Sequence, residues 1–370
     1  MKNVTAILLA LLVALSTASA QEKSAKAGSA MPKCNEPLSN LDFPNGPHGL
    51  FVLEFPGLRA RGLGANKYLL HNPAVCGAMV YVVWSQVDRG PDANPRYDWS
   101  SVDDQMKPWV SAGKTVNLVV WAVRPMGNRH ATPDFVWSKV PSTECPHFSR
   151  VPVFWDRNFV STYKTFMAAV MQKYGTNSSV GYIRFGLGAG GETYPACKFA
   201  LRKYGFSEKV WRDYLFEMMD YEKSLGSEKQ LMIGINPVGR PPDPEFPRSI
   251  AEHAVRDGIG FGCQGWGATD VQSHASGAPC MAGWCEAFER FHGKVPLQLQ
   301  TIAPSNPDRS GETGSLVDLL PFGLKLHAQI FEIYLADWLI AYDPNDPKYA
   351  QYHAEYQQAI EAAAKVVGGQ

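Results

Sequence analysis

The chain has 370 residues, 45% of them hydrophobic, and no net formal charge. That length and apolar content suit one large core better than two small ones. The charge balance excludes the basic surface that a nucleic-acid partner requires. Ten tryptophans and fifteen tyrosines either fill that core or present flat faces to a ligand.

The first element is a processing signal. Lys2 supplies a positive end, residues 6–15 an apolar stretch, and Ala18-Ser19-Ala20 a small-residue cleavage site. The apolar stretch is too short to span a bilayer. Residues 1–20 therefore read as a cleaved secretory signal, and the mature chain as secreted or periplasmic, with no membrane attachment after cleavage. Residues 21–45 read as a flexible lead-in, and 46–370 as the folded domain.

Eight short apolar runs follow, at 50–55, 78–84, 115–121, 180–185, 231–235, 259–263, 295–299 and 328–333. Runs that are apolar throughout fit strands buried on both faces of a parallel sheet. Helical patterns lie between them at 100–112, 159–174, 208–224, 247–256, 283–291 and 314–326, and a closing helix at 348–367. The stretch 122–158 carries prolines and reads as a loop with a short helix at 133–139. Alternating strands and helices with eight strands predict an α/β fold, a single (β/α)8 TIM barrel. A doubly wound sheet is the alternative.

All seven cysteines lie beyond the signal, where export permits disulfides. Seven is odd, so one at least is free or pairs between chains. Cys145 and Cys197 fall in the loops after the third and fourth strands and are placed to tie them together. Cys280 and Cys285 are near neighbours. No pair has zinc-type spacing, and the histidines (His71, His130, His147, His253, His327) show no metal-binding pattern. No metal and no cofactor is expected.

In such a barrel the reactive groups sit at the C-terminal ends of the strands. The second strand delivers Trp84, with Asp88 beyond; the third delivers Trp121, with Arg124 beyond. The fourth is followed by Gly186-Leu187-Gly188-Ala189-Gly190-Gly191-Glu192, then Tyr194. The fifth gives Asn236; the sixth Gln264, Trp266 and Asp270; the seventh Gln298 and Gln300. The eighth gives Glu332, Tyr334, Asp337 and Trp338. Several tryptophans on one rim, with Gln, Asn and Asp beside them, describe a sugar-binding surface. The bland reading is a packed barrel top. The Gly186/Gly188/Gly191 spacing also fits GxGxxG. It lies mid-chain, however, and opens into Glu-Thr-Tyr-Pro rather than a helix, which argues against a dinucleotide site.

Residues 186–195, GLGAGGETYP, resemble the fourth-strand motif of β-amylases, in which the glutamate is the general acid. Val83-Trp84, Tyr97-Asp98-Trp99 and Gly113 are similar to a pattern in β-amylases and barrel β-galactosidases. Pro152 to Trp155, with Tyr163, Phe166 and Tyr174, is similar to the helix before the fourth strand in such barrels. The resemblance covers roughly 77–195 and implies the glycoside hydrolase superfamily, a carbohydrate substrate, and Glu192 as proton donor.

Glycosidic bonds are cut by two carboxyl groups. Relatives carry the second at the end of the seventh strand, where this chain has Gln298 and Gln300, neither of which can serve as base or nucleophile. Glu332 is the leading replacement, because an acid inside an apolar run is costly unless used or paired. Across the barrel from Glu192, it would leave the wide gap of an inverting mechanism. Its bland reading is a structural glutamate bound to Arg184 or another cation. Asp270 is the next candidate base, then Asp337 and Glu54. Trp84, Trp121, Tyr194, Asn236, Trp266, Gln298, Gln300 and Tyr334 are the candidate sugar contacts. The second reading is a carbohydrate-binding barrel without catalysis. A lyase or isomerase would want a metal or a Lys or His base on the rim.

Overall fold

A computed structural model describes residues 34, 37–53, 68–123, 130–146, 148–238, 244–280, 283–343, 345 and 347–368. Ten strands are described: β1 (Gly49–Leu53), β2 (Gly77–Val83), β3 (Thr115–Trp121), β4 (Ser142–Cys145), β5 (Ser149–Pro152), β6 (Val180–Phe185), β7 (Gln230–Gly234), β8 (Gly260–Trp266), β9 (Leu297–Thr301) and β10 (Ile330–Tyr334). Eight of them close into a parallel barrel in the order β1-β10-β9-β8-β7-β6-β3-β2. The eight apolar runs of the sequence are these eight strands, with ends displaced by up to three residues. The antiparallel hairpin β4–β5 was expected as loop. Its strands are four residues long and partly polar, too short to show a period.

The strands follow from their composition. Thr115–Trp121 reads TVNLVVW, rich in β-branched residues and buried along its whole length. Its side chains alternate between two environments. Leu118 and Val120 join the large core between barrel and helices, while Val119 and Trp121 join Leu53, Met79, Tyr81, Val83 and Tyr334 inside the barrel. Outside, helix Arg157–Tyr174 starts where the Asp156 side chain accepts from Asn158 N–H at 2.9 Å and Phe159 N–H at 3.3 Å. Its buried stripe, Phe159, Tyr163, Phe166, Val170 and Tyr174, has helical spacing. Full burial of each such side chain contributes roughly 1.5–3 kcal/mol.

The floor of the barrel holds what was expected to be the end of a flexible lead-in. Cys34 is disulfide-bonded to Cys76, just before β2. The Gln329 amide donates to the carbonyls of Phe43 at 3.2 Å and Pro47 at 2.9 Å. Asn40 donates to Val366 O at 2.9 Å, at the end of helix His353–Val367. Residues 37–48 are thus fastened to the approach of β10 and to the end of the closing helix. Two further disulfides are Cys145–Cys197, as expected, and Cys280–Cys285, and Cys263 is unpaired. Among the described residues, no helix is long and apolar enough to cross a membrane.

Candidate active site

The glycine-rich run leaves β6 and folds back on itself. Gly188 N–H donates to Glu192 O at 2.7 Å and Ala189 N–H to Tyr194 O at 2.8 Å. Thr193 ties the loop to the next strand: its N–H donates to Gly234 O at 3.1 Å, and Asn236 N–H donates to its hydroxyl at 3.2 Å. Gly191 has φ +81°, and a Cβ there would come within 2.9 Å of both Trp121 and Val119. Only glycine fits both demands. A Cβ at Gly234 would meet the Glu192 side chain at 3.4 Å, so the strand floor under the carboxylate is bare backbone. The glutamate is thereby aimed from the C-terminal end of β6 into the barrel mouth.

Three elements supply its partners. The Asn236 amide donates to Glu192 Oε2. The Gln264 amide, oriented so that both its ends are satisfied, donates to Glu192 Oε1 at 2.6 Å. Its oxygen then accepts from Arg184 Nη2, Nη1 and Nε at 2.5, 2.8 and 3.0 Å. Burial pushes the Glu192 carboxyl up to about 7, against the lowering pull of Arg184 and the Asn236 hydrogen bond. A carboxyl poised there is protonated often enough near neutrality to donate.

Below this layer the barrel interior stays polar. Arg184 Nη1 donates to Gln298 Oε1 at 3.0 Å, and Nη2 lies 3.3 Å from Glu332 Oε2. The Gln298 amide donates to the same Glu332 oxygen at 3.2 Å, and the Tyr182 hydroxyl donates to Oε1. Glu332 is 1% exposed. Burial alone pushes its carboxyl well above the usual range. Donors on both oxygens, one of them a guanidinium, favour the charged form. A continuous chain therefore runs from Glu192 through Gln264 and Arg184 to Glu332.

The other sequence candidates divide by which face of the strand they occupy. Trp84 follows Val83 of β2 by one residue, so it points out of the barrel. It is fully buried against Phe159, Tyr163 and Phe166, and its Nε1 donates to Asp88 at 3.1 Å. Trp266 has inward parity on β8, yet it too lies outside, stacked 6.0 Å from Phe322. The cause is a bulge: Cys263 pairs with Leu299 and Trp266 with Thr301, so three residues of β8 span two of β9. Both tryptophans are thus buried between barrel and helices, not on the open rim where they were expected. Trp121 does point inward, 4.3 Å from the Tyr81 ring, and is covered. Tyr194 is 41% exposed on the rim, 6.2 Å from Phe148.

Gln300 hydrogen-bonds the Tyr334 side chain, and both are buried at the inner end of their strands. Asp270 is buried in the first turn of helix Ala268–Ala275, where it accepts from Gly267 N–H at 3.1 Å. Asp337 lies in helix Leu335–Tyr342 and accepts from Ser305 N–H at 2.9 Å and its hydroxyl at 2.7 Å. Asp88 is paired with Arg96 at 2.9 Å. Glu54, Arg124 and His147 lie outside the described residues. Tyr182 was missed by the sequence reading, and Arg184 was read only as a partner. Both share inward parity on β6, and an arginine inside an apolar strand was the available signal.

A cleft of about 610 Å3 opens beside the ends of β2 and β3, lined by Ser85, Arg89, His130, Asp134 and Phe135 among others. None of the Glu192 cluster lines it.

Solved structures with the same architecture include the catalytic domain of β-amylase from Paenibacillus polymyxa. The alignment has TM-score 0.60 and 12% identity, covering 86% of this chain and 98% of that one. The fold they share with this chain is the (β/α)8 barrel. A β-galactosidase from the psychrophilic Marinomonas ef1 aligns with TM-score 0.55 and 10% identity, over 86% of this chain and 59% of that one. The endo-1,4-β-mannanase of Rhizomucor miehei aligns with TM-score 0.53 and 11% identity, over 90% and 100%. No protein-family model and no curated protein matches the chain in sequence. These alignments cover 86–90% of this chain, so the expected likeness to glycoside hydrolase barrels holds for the fold of the whole barrel.

Proposed function

We propose that this chain is an exported glycoside hydrolase in which Glu192 protonates the leaving glycosidic oxygen. The observation that carries the reading is the Glu192 carboxyl, raised to about 7 by burial and held at the C-terminal end of β6 by Asn236 and Gln264. Position and proton affinity both suit a general acid. Tyr194, two residues further along the same loop, offers an exposed aromatic face for a sugar ring. Asn236, Gln300 and Tyr334 supply polar groups at the inner strand ends. The apolar segment at 6–15 and the three disulfides support export.

A water-activating carboxylate completes the mechanism. Glu332 has both oxygens engaged by Tyr182, Gln298 and Arg184, and its proposed part is to balance the Arg184 charge. Asp270 is engaged in its own helix turn. Glu54, the residue after β1, joins them as a candidate base on sequence. The second reading, a carbohydrate-binding barrel without turnover, is favoured by one observation: β9 brings Gln298 and Gln300 inward where a carboxylate would serve.

Hydrolysis of a panel of glycans and aryl glycosides tests both. Glu192→Gln is expected to lose about 10²–10⁴-fold on natural glycosides. It should lose far less on aryl glycosides whose leaving group needs no proton. Undiminished hydrolysis of natural glycosides sinks the assignment. Glu54→Gln, Glu332→Gln and Asp270→Asn identify the base by which one abolishes turnover in a protein that still binds sugar. Sugar binding by the wild type with no turnover of any glycoside establishes the second reading.

A further inference from the structure

At the floor of the barrel, opposite the Glu192 end, three side chains from distant parts of the chain converge. Asp42 precedes β1, His292 precedes β9, and His327 precedes β10. His292 Nδ1 lies 2.9 Å and His327 Nδ1 2.6 Å from the same oxygen, Asp42 Oδ2. The two imidazoles stack with centroids 3.9 Å apart and planes 11° from parallel. One potential ligand atom from each residue lies within 4.8 Å of the others. All three side chains are about 40% exposed, so a cation has an open approach.

We propose that Asp42, His292 and His327 bind a divalent transition-metal cation of the zinc class. Two imidazoles and one carboxylate are borderline donors that suit Zn2+, Co2+ or Ni2+ and leave a fourth position for water. Metal–ligand bonds of about 2.0–2.1 Å in a tetrahedron set the donor atoms ~3.3 Å apart. The two N···O separations, 2.9 and 2.6 Å, are shorter than that by about 0.4 and 0.7 Å, so the ion would push the three donors apart and part the stacked rings. Exposed side chains give way that far at small cost.

The backbone is shaped around this trio. Helix Leu316–Lys325 ends in a Schellman turn, with Ala328 N–H donating to Gly323 O at 3.1 Å and His327 N–H to Leu324 O at 3.0 Å. The left-handed residue of that turn is ordinarily glycine or asparagine. Here it is His327, with φ +62°, a conformation that costs a β-carbon residue about 1 kcal/mol. On the other side, Gly293, next to His292, turns with φ +74° and packs in ordinary contact with Asp42. Gln329 holds the carbonyl of Phe43, next to Asp42, from the start of β10. Three independent segments are thus fixed around one point. A metal there clamps residues 37–48 to the approaches of β9 and β10, so its role is structural and lies far from the sugar chemistry proposed above.

The test uses the whole mature protein without an oligohistidine tag. Co2+ is titrated and its visible d–d absorption followed; Zn2+ then displaces it, and thermal unfolding is recorded with and without Zn2+. One Co2+ per chain is expected to bind, with Zn2+ raising Tm in a concentration-dependent way. Asp42→Asn, His292→Ala and His327→Asn should each weaken binding by at least about 100-fold and remove the Zn2+ effect on Tm. His327→Asn keeps a residue that tolerates the left-handed turn, so its loss of binding is not a loss of fold. No saturable Co2+ binding by the wild type overturns the proposal, as does unchanged affinity in the three variants. Hydrolysis is not read in this experiment, so its result is independent of the Glu192 assignment.

Discussion

At the scale of one residue, Glu192 makes activity and stability depend on pH in the same sense. As an acid it must hold its proton, so kcat/KM is expected to fall as pH rises through about 7, and Glu192→Gln should lose that limb together with the activity. Its effect on stability has the same direction. The folded carboxyl binds its proton more tightly than the unfolded one, whose value is near 4.5. Stability from this group is complete below about 4.5 and declines until pH passes about 7. Glutamine keeps the shape and cannot ionise. The stability of Glu192→Gln relative to wild type should therefore improve by roughly 1–3 kcal/mol between about pH 4 and about pH 8. Denaturant titrations at the two pH values measure it, and an equal difference at both would show that the carboxyl is not raised.

At the scale of the element, strand alternation decides what each side chain does. β6 turns Tyr182 and Arg184 inward, β9 turns Gln298 and Gln300 inward, and β10 turns Glu332 and Tyr334 inward. The Arg184–Glu332 pair is buried on both sides. Removing one partner strands the other charge, at a cost of about 3–5 kcal/mol, whereas replacing both by apolar residues is far milder. Arg184→Met with Glu332→Leu is expected to be more stable in urea than either single variant. Trp266, by contrast, is a core residue: Trp266→Ala should cost about 3–5 kcal/mol and leave KM unchanged, while Tyr194→Ala should raise KM with little effect on Tm. The eight strands and Glu192 were legible because apolar runs and a glycine-led carboxylate are local signals. Trp84 was also legible in principle, since it follows an inward Val83 and so faces out. Trp266 was not, because the bulge that turns it depends on pairing with β9. Nor was the link from Gln264 to Arg184, which joins residues 80 positions apart and exists only once the barrel closes.

At the scale of the whole molecule, the barrel has two differently built ends. The C-terminal end carries glycine-rich loops, Glu192 and the Cys145–Cys197 disulfide; the N-terminal end carries the Cys34–Cys76 disulfide and the strap at 37–48. Six of seven cysteines are consumed by these and the Cys280–Cys285 link. The seventh, Cys263, sits in the middle of β8 in the core beneath the helices, with its thiol pushed well above its ordinary value by burial. A neutral, enclosed thiol is inert to alkylation. Protein exposed to iodoacetamide without reductant should therefore stay unlabelled while folded, and each chain should take up its single adduct the first time the wall around β8 opens. In the mass spectrum the unlabelled fraction then decays with time at a rate set by that first opening, so one thiol reports how often the barrel wall gives way.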